Sequence, residues 1–410
     1  MVGYVPIVIS GLSPCVEYIY VAPGRYAGTK ELPLIPNEVY FEIFDYIEPS
    51  DLMSVSEYKR ILSNLALVCC FFCAVLLPRI FKSLTFSGHP DKADTSGYAS
   101  FCRALIGGKE PACSLALHIR ECTFSQWAAG EDHIELAFNG FLGFYNQAIT
   151  RMPNLKSLVL SCMPISKKLT QAMSKLTQLK ALVMDSCEVG DDVMDQDICK
   201  LKLATLEFHG GRYTRDLLEL ISPALCVFRT SDWDFARGFM MEIAQCHIEE
   251  LEVSLVEDLI VLREFLEKTP SIMRLNIGSI ISEHATPLSL SLSSLPQLHS
   301  IDCPSSLILD FVPSRPLKRI ALSGIHYLAR GSLVMASLPP MTLEDIAVMT
   351  KSAAATRTLD IPAGIYFTAP VDHFPHLEKL RLDFVHPNHV CWFLDVPGIN
   401  VSYTCLELSF

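Results

Sequence analysis

The apolar positions divide the chain into two patterns. Between Ile35 and Phe86 the pattern is helical. Pro36 opens a segment in which Val39, Ile43, Phe44 and Ile47 recur at helical spacing, and Pro49 ends it. Glu48 to Tyr58 reads as a polar connection, and Ile61 to Leu77 as a second, almost wholly apolar helix closed by Pro78. Two helices this apolar need something to cover them. From Leu155 onward the pattern changes: an apolar residue is followed by another three positions later and a third two beyond that. Leu155, Leu158 and Leu160 form one such triplet, Leu179, Leu182 and Met184 the next, and Leu203, Leu206 and Phe208 a third. A weaker copy, Leu225, Phe228 and Thr230, precedes Ile248, Leu251 and Val253. Then come Ile272, Leu275 and Ile277; Leu298, Ile301 and Cys303; Leu317, Ile320 and Leu322; and finally Leu377, Leu380 and Leu382. Up to Leu317 the first positions stand about 19 to 26 residues apart. Each triplet predicts a short strand with its apolar side chains on one face. The stretches between, such as Asp258 to Lys268, have helical periodicity. Ala112, Leu115 and Leu117 are expected to form an early copy, followed by a helical insert to Thr150. Leu343, Ile346 and Val348 are expected to form a late one.

A unit this small cannot bury its own apolar face, so copies must stack and share a core. Strand, helix and period together are those of an irregular leucine-rich-repeat solenoid, an α/β fold. The helical segment carries a resemblance of its own. Ile35-Pro36-x-Glu38-Val39 with Ile43, then Leu65-x-Leu67-Val68-Cys69, then Leu77-Pro78-Arg79-Ile80-Phe81, resembles an F-box of the type common in fungal proteins. Ile35 stands where that family usually has Leu, and Cys70 to Cys73 stand where it tends to carry Arg and Trp. The whole chain is therefore similar to F-box/leucine-rich-repeat proteins, which select substrates for cullin-RING ubiquitin ligases. The residue patterns divide the chain into a loosely ordered leader (1–30), a helical module that the resemblance makes F-box-like (31–86), a connection (87–111) and the repeat solenoid (112–410). The resemblance also implies an SCF-type substrate receptor that performs no chemistry itself. Such a receptor would bind the ligase adaptor, and through it the cullin, by way of Ile35, Pro36, Val39, Ile43, Leu67 and Val68. The solenoid would hold a protein substrate. Periodicity alone supports the alternative, a non-catalytic leucine-rich-repeat interaction scaffold without ubiquitin ligase function.

Composition narrows the partners. A net charge of -12 argues against general nucleic-acid binding and against an anionic membrane surface. The apolar run from Ile61 to Leu77 is short for a membrane span, which needs about 20 residues. The first thirty residues lack a basic signal-peptide region and are interrupted by Pro6, Pro14 and Pro23. Fifteen cysteines, an odd number without an even framework, read as reduced thiols in a cytoplasmic or nuclear protein.

If the triplet residues point into the core, those between them line the opposite, concave face. Asp185, Glu207, Glu250 and Glu252 make the middle strands mainly acidic, although Arg229 also belongs to this set. Arg274, Arg319, Lys379 and Arg381 make the later ones mainly basic. A face polarised in this way would orient an extended protein partner by charge. Catalytic and metal motifs are not expected. His209-Gly210-Gly211 has no Gly-x-Ser-x-Gly elbow and reads as a turn at the end of a repeat. His386, His389 and Cys391 lack a fourth zinc ligand, and Asp191, Asp192, Asp195 and Asp197 lack the glycine and glutamate of a calcium loop. Cys70 and Cys73 have no basic neighbour to activate a thiol. No cofactor or metal is expected, and Trp127 and Trp233 read as structural.

Overall fold

The computed structural model describes residues 24–27, 29–33, 35–47, 54–87, 95–127, 135–189, 201–212, 218, 222–242, 246–281, 288–322, 326–328, 332–334, 347–352, 354–362, 374, 376–383 and 400–404. The chain forms two compact units, residues 1–163 with 171–179, and residues 164–170 with 180–410.

The first unit begins with an antiparallel pair, β1 (Arg25–Ala27) and β2 (Lys30–Leu32). Three helices follow where the sequence predicts two. Pro36 precedes α1 (Asn37–Tyr46), and its carbonyl accepts the Val39 N–H at 3.1 Å. α2 (Val55–Ala66) starts inside the expected polar connection, because Ser54 Oγ accepts the Glu57 N–H at 3.2 Å and caps it. The apolar run then breaks at Leu67, Val68 and Cys69, and Cys69 Sγ caps α3 (Cys70–Ile80). The break has a packing reason. On one straight helix Leu62 and Leu76 would lie about 21 Å apart; folded back, both are fully buried in one cluster with Tyr40, Phe44, Phe71 and Val75. Edge-on aromatic contacts fix that cluster: Phe44 meets Phe72 at 5.0 Å and Tyr40 meets Phe71 at 5.5 Å. Pro78 does not end α3, which runs one residue pair further, and Phe81 N–H still reaches Leu77 O at 3.0 Å. Arg79 returns to α1, donating to Phe44 O at 2.8 Å and pairing with Asp45.

Repeat strands begin directly after this module. β3 (Ser83–Ser87), α4 (Thr95–Ile106), α5 (Ala112–Ala116), β4 (Glu121–Ser125), α6 (Glu135–Ile149) and β5 (Ser157–Ser161) follow, with β3, β4 and β5 parallel and in register. The expected strand at Ala112, Leu115 and Leu117 is the helix α5. The actual triplets are Phe81, Leu84 and Phe86, and Ile119, Cys122 and Phe124, in which Phe and Cys replace Leu. Leu84, Phe86, Ile119, Cys122 and Phe124 are all buried.

Chain order continues with β6 (Pro164–Ile165), α7 (Lys167–Met173), β7 (Ala181–Val189), β8 (Thr205–Arg212) and β9 (Val227–Thr230). Next come α8 (Trp233–Glu242), β10 (Glu250–Val256), α9 (Leu259–Lys268), β11 (Arg274–Ile280) and β12 (Ser300–Cys303). α10 (Ile308–Phe311) leads to β13 (Arg319–Leu322), and β14 (His326–Leu328) pairs antiparallel with β15 (Ser332–Val334). β16 (Thr358–Pro362), β17 (Lys379–Asp383) and β18 (Asn400–Thr404) complete the described elements. In the second unit β7, β8, β9, β10, β11, β12, β13, β16, β17 and β18 pair in that order, every pair parallel. This is the ladder of a leucine-rich repeat. One row of apolar residues runs across it from Leu182 through Leu206, Phe228, Leu251, Leu275, Ile301 and Ile320 to Leu359. Each is at most 2% exposed, and full burial of such a side chain is worth about 1.5–3 kcal/mol. Thr230 occupies a core position because Asp232 satisfies its hydroxyl in both directions. α8 carries Phe235 and Phe239 under the strands, with Phe239 stacked on Phe228 at 3.7 Å. α9 is the helix expected from Asp258 to Lys268, with Asp258 accepting the Ile260 and Val261 N–H groups. The late copy at Leu343 and Ile346 falls outside the described residues, and Val348 lies in a helical turn. The strand that does pair between β13 and β17 is β16, from the triplet Thr356, Leu359 and Ile361. No helix among the described residues is long and apolar enough to cross a membrane.

Arg315 is only 1% exposed and holds three chain segments together. Its guanidinium donates to Ser294 O at 3.1 Å, Asp310 O at 2.6 Å and Ser291 O at 3.1 Å. Arg315→Met fits the space and strands these carbonyls. It is expected to lower stability by about 3 kcal/mol, read as a fall in the urea midpoint, with Arg315→Lys intermediate.

Candidate protein-binding faces

In the helical module, burial divides α1 between two sides. Tyr40 and Phe44 face the cluster, while Val39 is 40% and Ile43 47% exposed. At the turn between α2 and α3, Leu67 is 86% and Val68 66% exposed. Ile35 is half-buried against the cluster and Pro36 is exposed. Tyr46, which the sequence reading did not single out, is 90% exposed at the end of α1. The module's interior is filled by Tyr40, Phe44, Leu62, Phe71, Val75 and Leu76, with Ile35 packed against them; Val39, Ile43, Leu67, Val68 and Tyr46 lie outside that cluster. In the neighbouring thiols, burial and the nearby Cys70 and Cys69 push Cys73 up, which makes it a poor nucleophile.

In the second unit, the residues between the buried triplets share one face of the sheet, in register. One row runs Val183, Glu207, Arg229, Glu252, Asn276, Asp302, Ala321, Asp360 and Arg381. A second runs Thr205, Val227, Glu250, Arg274, Ser300, Arg319, Thr358 and Lys379. Arg229 stands among the acids. It donates Nη1–H to Glu207 Oε1 at 2.6 Å and Nε–H to Glu250 Oε1 at 2.9 Å, and lies 3.6 Å from Glu252. Arg274 pairs with the second oxygen of Glu250. Among the later, basic positions, Arg319 donates to Asp360 Oδ2 at 2.6 Å. The charges expected to form an acidic block and a basic block are thus paired across neighbouring strands. Asp185 lies on β7 with its carboxylate accepting from Ser186. Lys379 is exposed, and Arg381 stands opposite Asp360 in register, its side chain outside the described residues.

The electrostatics of the acidic cluster are uneven. Burial works against the charge of Arg229, but its hydrogen bond to Glu250 and the fields of Glu207, Glu250 and Glu252 outweigh that and raise its pKa. The Glu252 pKa is raised as well, which for a carboxyl disfavours the charge: burial pushes it up more than Arg229 and His209 pull it down. Glu252 keeps only the long contact to Arg229, while Glu207 and Glu250 take the short bonds. His209 sits beside Glu207 at 3.7 Å. Its glycine neighbours lie within β8 instead of in a turn after it. Gly210 and Gly211 have φ of 70° and 110°, and a Cβ on Gly211 would fall 2.0 Å from Cys187 O. Positive φ accounts for Gly210, and positive φ together with this close approach for Gly211.

Asp360 is hidden in the sequence because its triplet opens with Thr356, the spacing of Thr356, Leu359 and Ile361 being its one signal, and the central place of Arg229 shows only once the strands are paired. Among the described residues no cluster of three or more His, Cys, Asp or Glu side chains could hold a metal ion. His386, His389, Cys391 and the aspartates from Asp191 to Asp197 fall outside them.

No protein-family model matches the chain, and no curated protein matches it. Among solved structures it is similar to an internalin (inlF) from Listeria monocytogenes, with 11% identity over 74% of this chain and 93% of that one, at a TM-score of 0.32. It is also similar to an internalin C2 from the same organism, with 18% identity over 50% of this chain and 82% of that one, at a TM-score of 0.27. What the faces can do is read from their own side chains.

The cluster sets a pH dependence. Glu252 has a raised folded-state pKa, so its contribution is full below the ordinary carboxylate value and is lost as pH rises through the folded one. Glu252→Gln is therefore expected to unfold at higher urea than the wild type at pH 7, with the gain vanishing on acidification below the ordinary carboxylate range. Arg229→Met removes the cation at the centre and is expected to cost about 1–3 kcal/mol at pH 7. Part of that loss should be recovered as the carboxylates protonate.

Proposed function

We propose that the chain is a non-catalytic protein-interaction scaffold that holds a partner on the β8–β11 sheet face. What carries this reading is the alignment of Glu207, Arg229, Glu250, Glu252 and Arg274 on adjacent strands, opposite the buried triplets. Side chains fixed by cross-strand pairing are pre-organised, so a partner meets them with little ordering cost. The partly shielded carboxylate of Glu252 and the outer side of Arg274 are the groups left to meet it.

A second reading, substrate receptor of an SCF-type ubiquitin ligase, is favoured by a separate observation. Val39, Ile43, Leu67 and Val68 are large apolar residues left outward by the helical module. In that reading they receive the ligase adaptor, which leads to the cullin, and the repeats hold the substrate. Ubiquitin transfer would then depend on proximity alone.

Affinity capture with three forms of the intact chain separates the readings: wild type, Val39→Asp/Leu67→Asp, and Glu252→Lys/Arg274→Glu. Partners lost only with the sheet-face variant are expected for the scaffold. Loss of a cullin-associated set with the module variant alone would establish the receptor. Equal recovery from all three would remove both.

A further inference from the structure

In the first unit, the residue immediately before each repeat strand is basic: Lys82 before β3, Arg120 before β4 and Lys156 before β5. The backbone aligns them. Lys82 O accepts the N–H groups of Arg120 at 2.8 Å and Glu121 at 3.0 Å, and Arg120 O accepts those of Lys156 at 2.8 Å and Ser157 at 3.0 Å. Three cations therefore stand on consecutive strands, about 4.8 Å apart from one to the next.

The fold does not require bases there. In the second unit the same position is filled by Lys180, Ala204, Cys226, Glu249, Met273, His299, Lys318, Arg357 and Glu378, so apolar and acidic residues serve there as well as basic ones, and from Lys180 to Arg357 the same carbonyl does the same work. Ala204 O accepts Cys226 and Val227, and Cys226 O accepts Glu249 and Glu250. Position, then, is set by backbone, and side-chain charge is free to serve something else. Lys82 and Lys156 are exposed and Arg120 half-exposed. Lys82 has a loose pair with Glu121 at 3.5 Å, and Arg120 touches Asn154 O at 3.4 Å. Lys156 has no ion-pair partner among the described residues. Such a row is unexpected on a chain of net charge -12.

We propose that Lys82, Arg120 and Lys156 form a docking row for an acidic, extended segment of a partner protein. The occupant follows from charge complementarity: carboxylates on alternate residues of an extended segment lie about 7 Å apart, within reach of flexible lysines at this spacing. A nucleic acid fits less well. No aromatic side chain stands in the row to stack a base, and the net charge of the chain repels a long polyanion. This surface goes beyond the sheet-face reading and does not depend on it.

Fluorescence anisotropy with a labelled hexaglutamate peptide at low salt tests the row on the intact chain. Lys82→Glu/Lys156→Glu is expected to weaken binding at least about tenfold, and Lys109→Glu, an exposed lysine outside the row, to leave it unchanged. Lys82→Gln/Lys156→Gln keeps the test open if charge reversal disturbs folding, and should weaken binding by about threefold. Equal affinity of wild type and row variants, equal binding of a hexaserine peptide, or tighter binding of oligouridylate than of hexaglutamate would each overturn the proposal.

Discussion

Everything in the repeats depends on one backbone arrangement at the start of each strand. The carbonyl of the residue before the strand accepts two N–H groups from the next repeat. This holds from Lys82 to Arg120 in the first unit, and from Lys180 through Lys318 to Arg357 in the second. Two bonds on one oxygen fix the register of the next strand, and register decides which side chains go inward. A slip of one residue would put Glu207 and Glu250 into the core and Leu206 and Leu251 into water. The chain supports these starts with hydroxyls. Ser222 donates to Leu203 O at 3.0 Å and Ser271 to Ile248 O at 2.7 Å, while Ser352 donates to Arg315 O at 2.9 Å. Where a leucine-rich repeat usually places Asn or Cys, one repeat has Cys187 and others hold Met163, Gly211, Val256 or Ile280.

Register also governs the charges. Read along the chain, acids and bases form blocks; read across strands, they form pairs. Arg229 lies between Glu207 and Glu252 because β9 lies between β8 and β10, and Arg319 meets Asp360 because β16 pairs directly with β13. Pairs of this kind contribute modestly to stability, but they hold side chains in place. The face of the second unit is therefore ordered before any partner arrives, and its net charge is lower than the acids alone suggest.

Most of the repeat strands were legible because leucine, isoleucine and methionine at fixed spacing are the direct sequence trace of a buried row. Legibility failed where another residue took the same place. Phe81, Cys122 and Thr356 fill positions of the triplet but do not register as leucines. The strands β3, β4 and β16 do not show in the leucine pattern for that reason, and Ala112, Leu115 and Leu117 have strand spacing where the chain forms a helix. The helical module shows a different limit. From Ile61 to Leu77 nearly every residue is apolar, so periodicity cannot say where the chain turns. The turn is set by a tertiary demand, that Leu62 and Leu76 share one cluster. Of the face, the residues between triplets were readable, but their pairing needed the strand order.

The two sides of α1 separate what folding requires from what it leaves over. Tyr40 and Phe44 are held by Phe71 and Phe72, and Arg79 secures the helix end through Phe44 O. That core is complete without Val39, Ile43, Leu67 or Val68. An apolar residue left in water gains nothing for the folded monomer, and single instances are common on any surface. Five of them in one small module, Tyr46 included, are harder to dismiss, because together they leave apolar area in water that a partner could bury. The basic row of Lys82, Arg120 and Lys156 obeys the same logic in charge. There the register is set by backbone, and the side chains make only loose contacts of 3.4–3.5 Å at Arg120 and Lys82. Both features mark where this chain has surface to offer beyond its own stability.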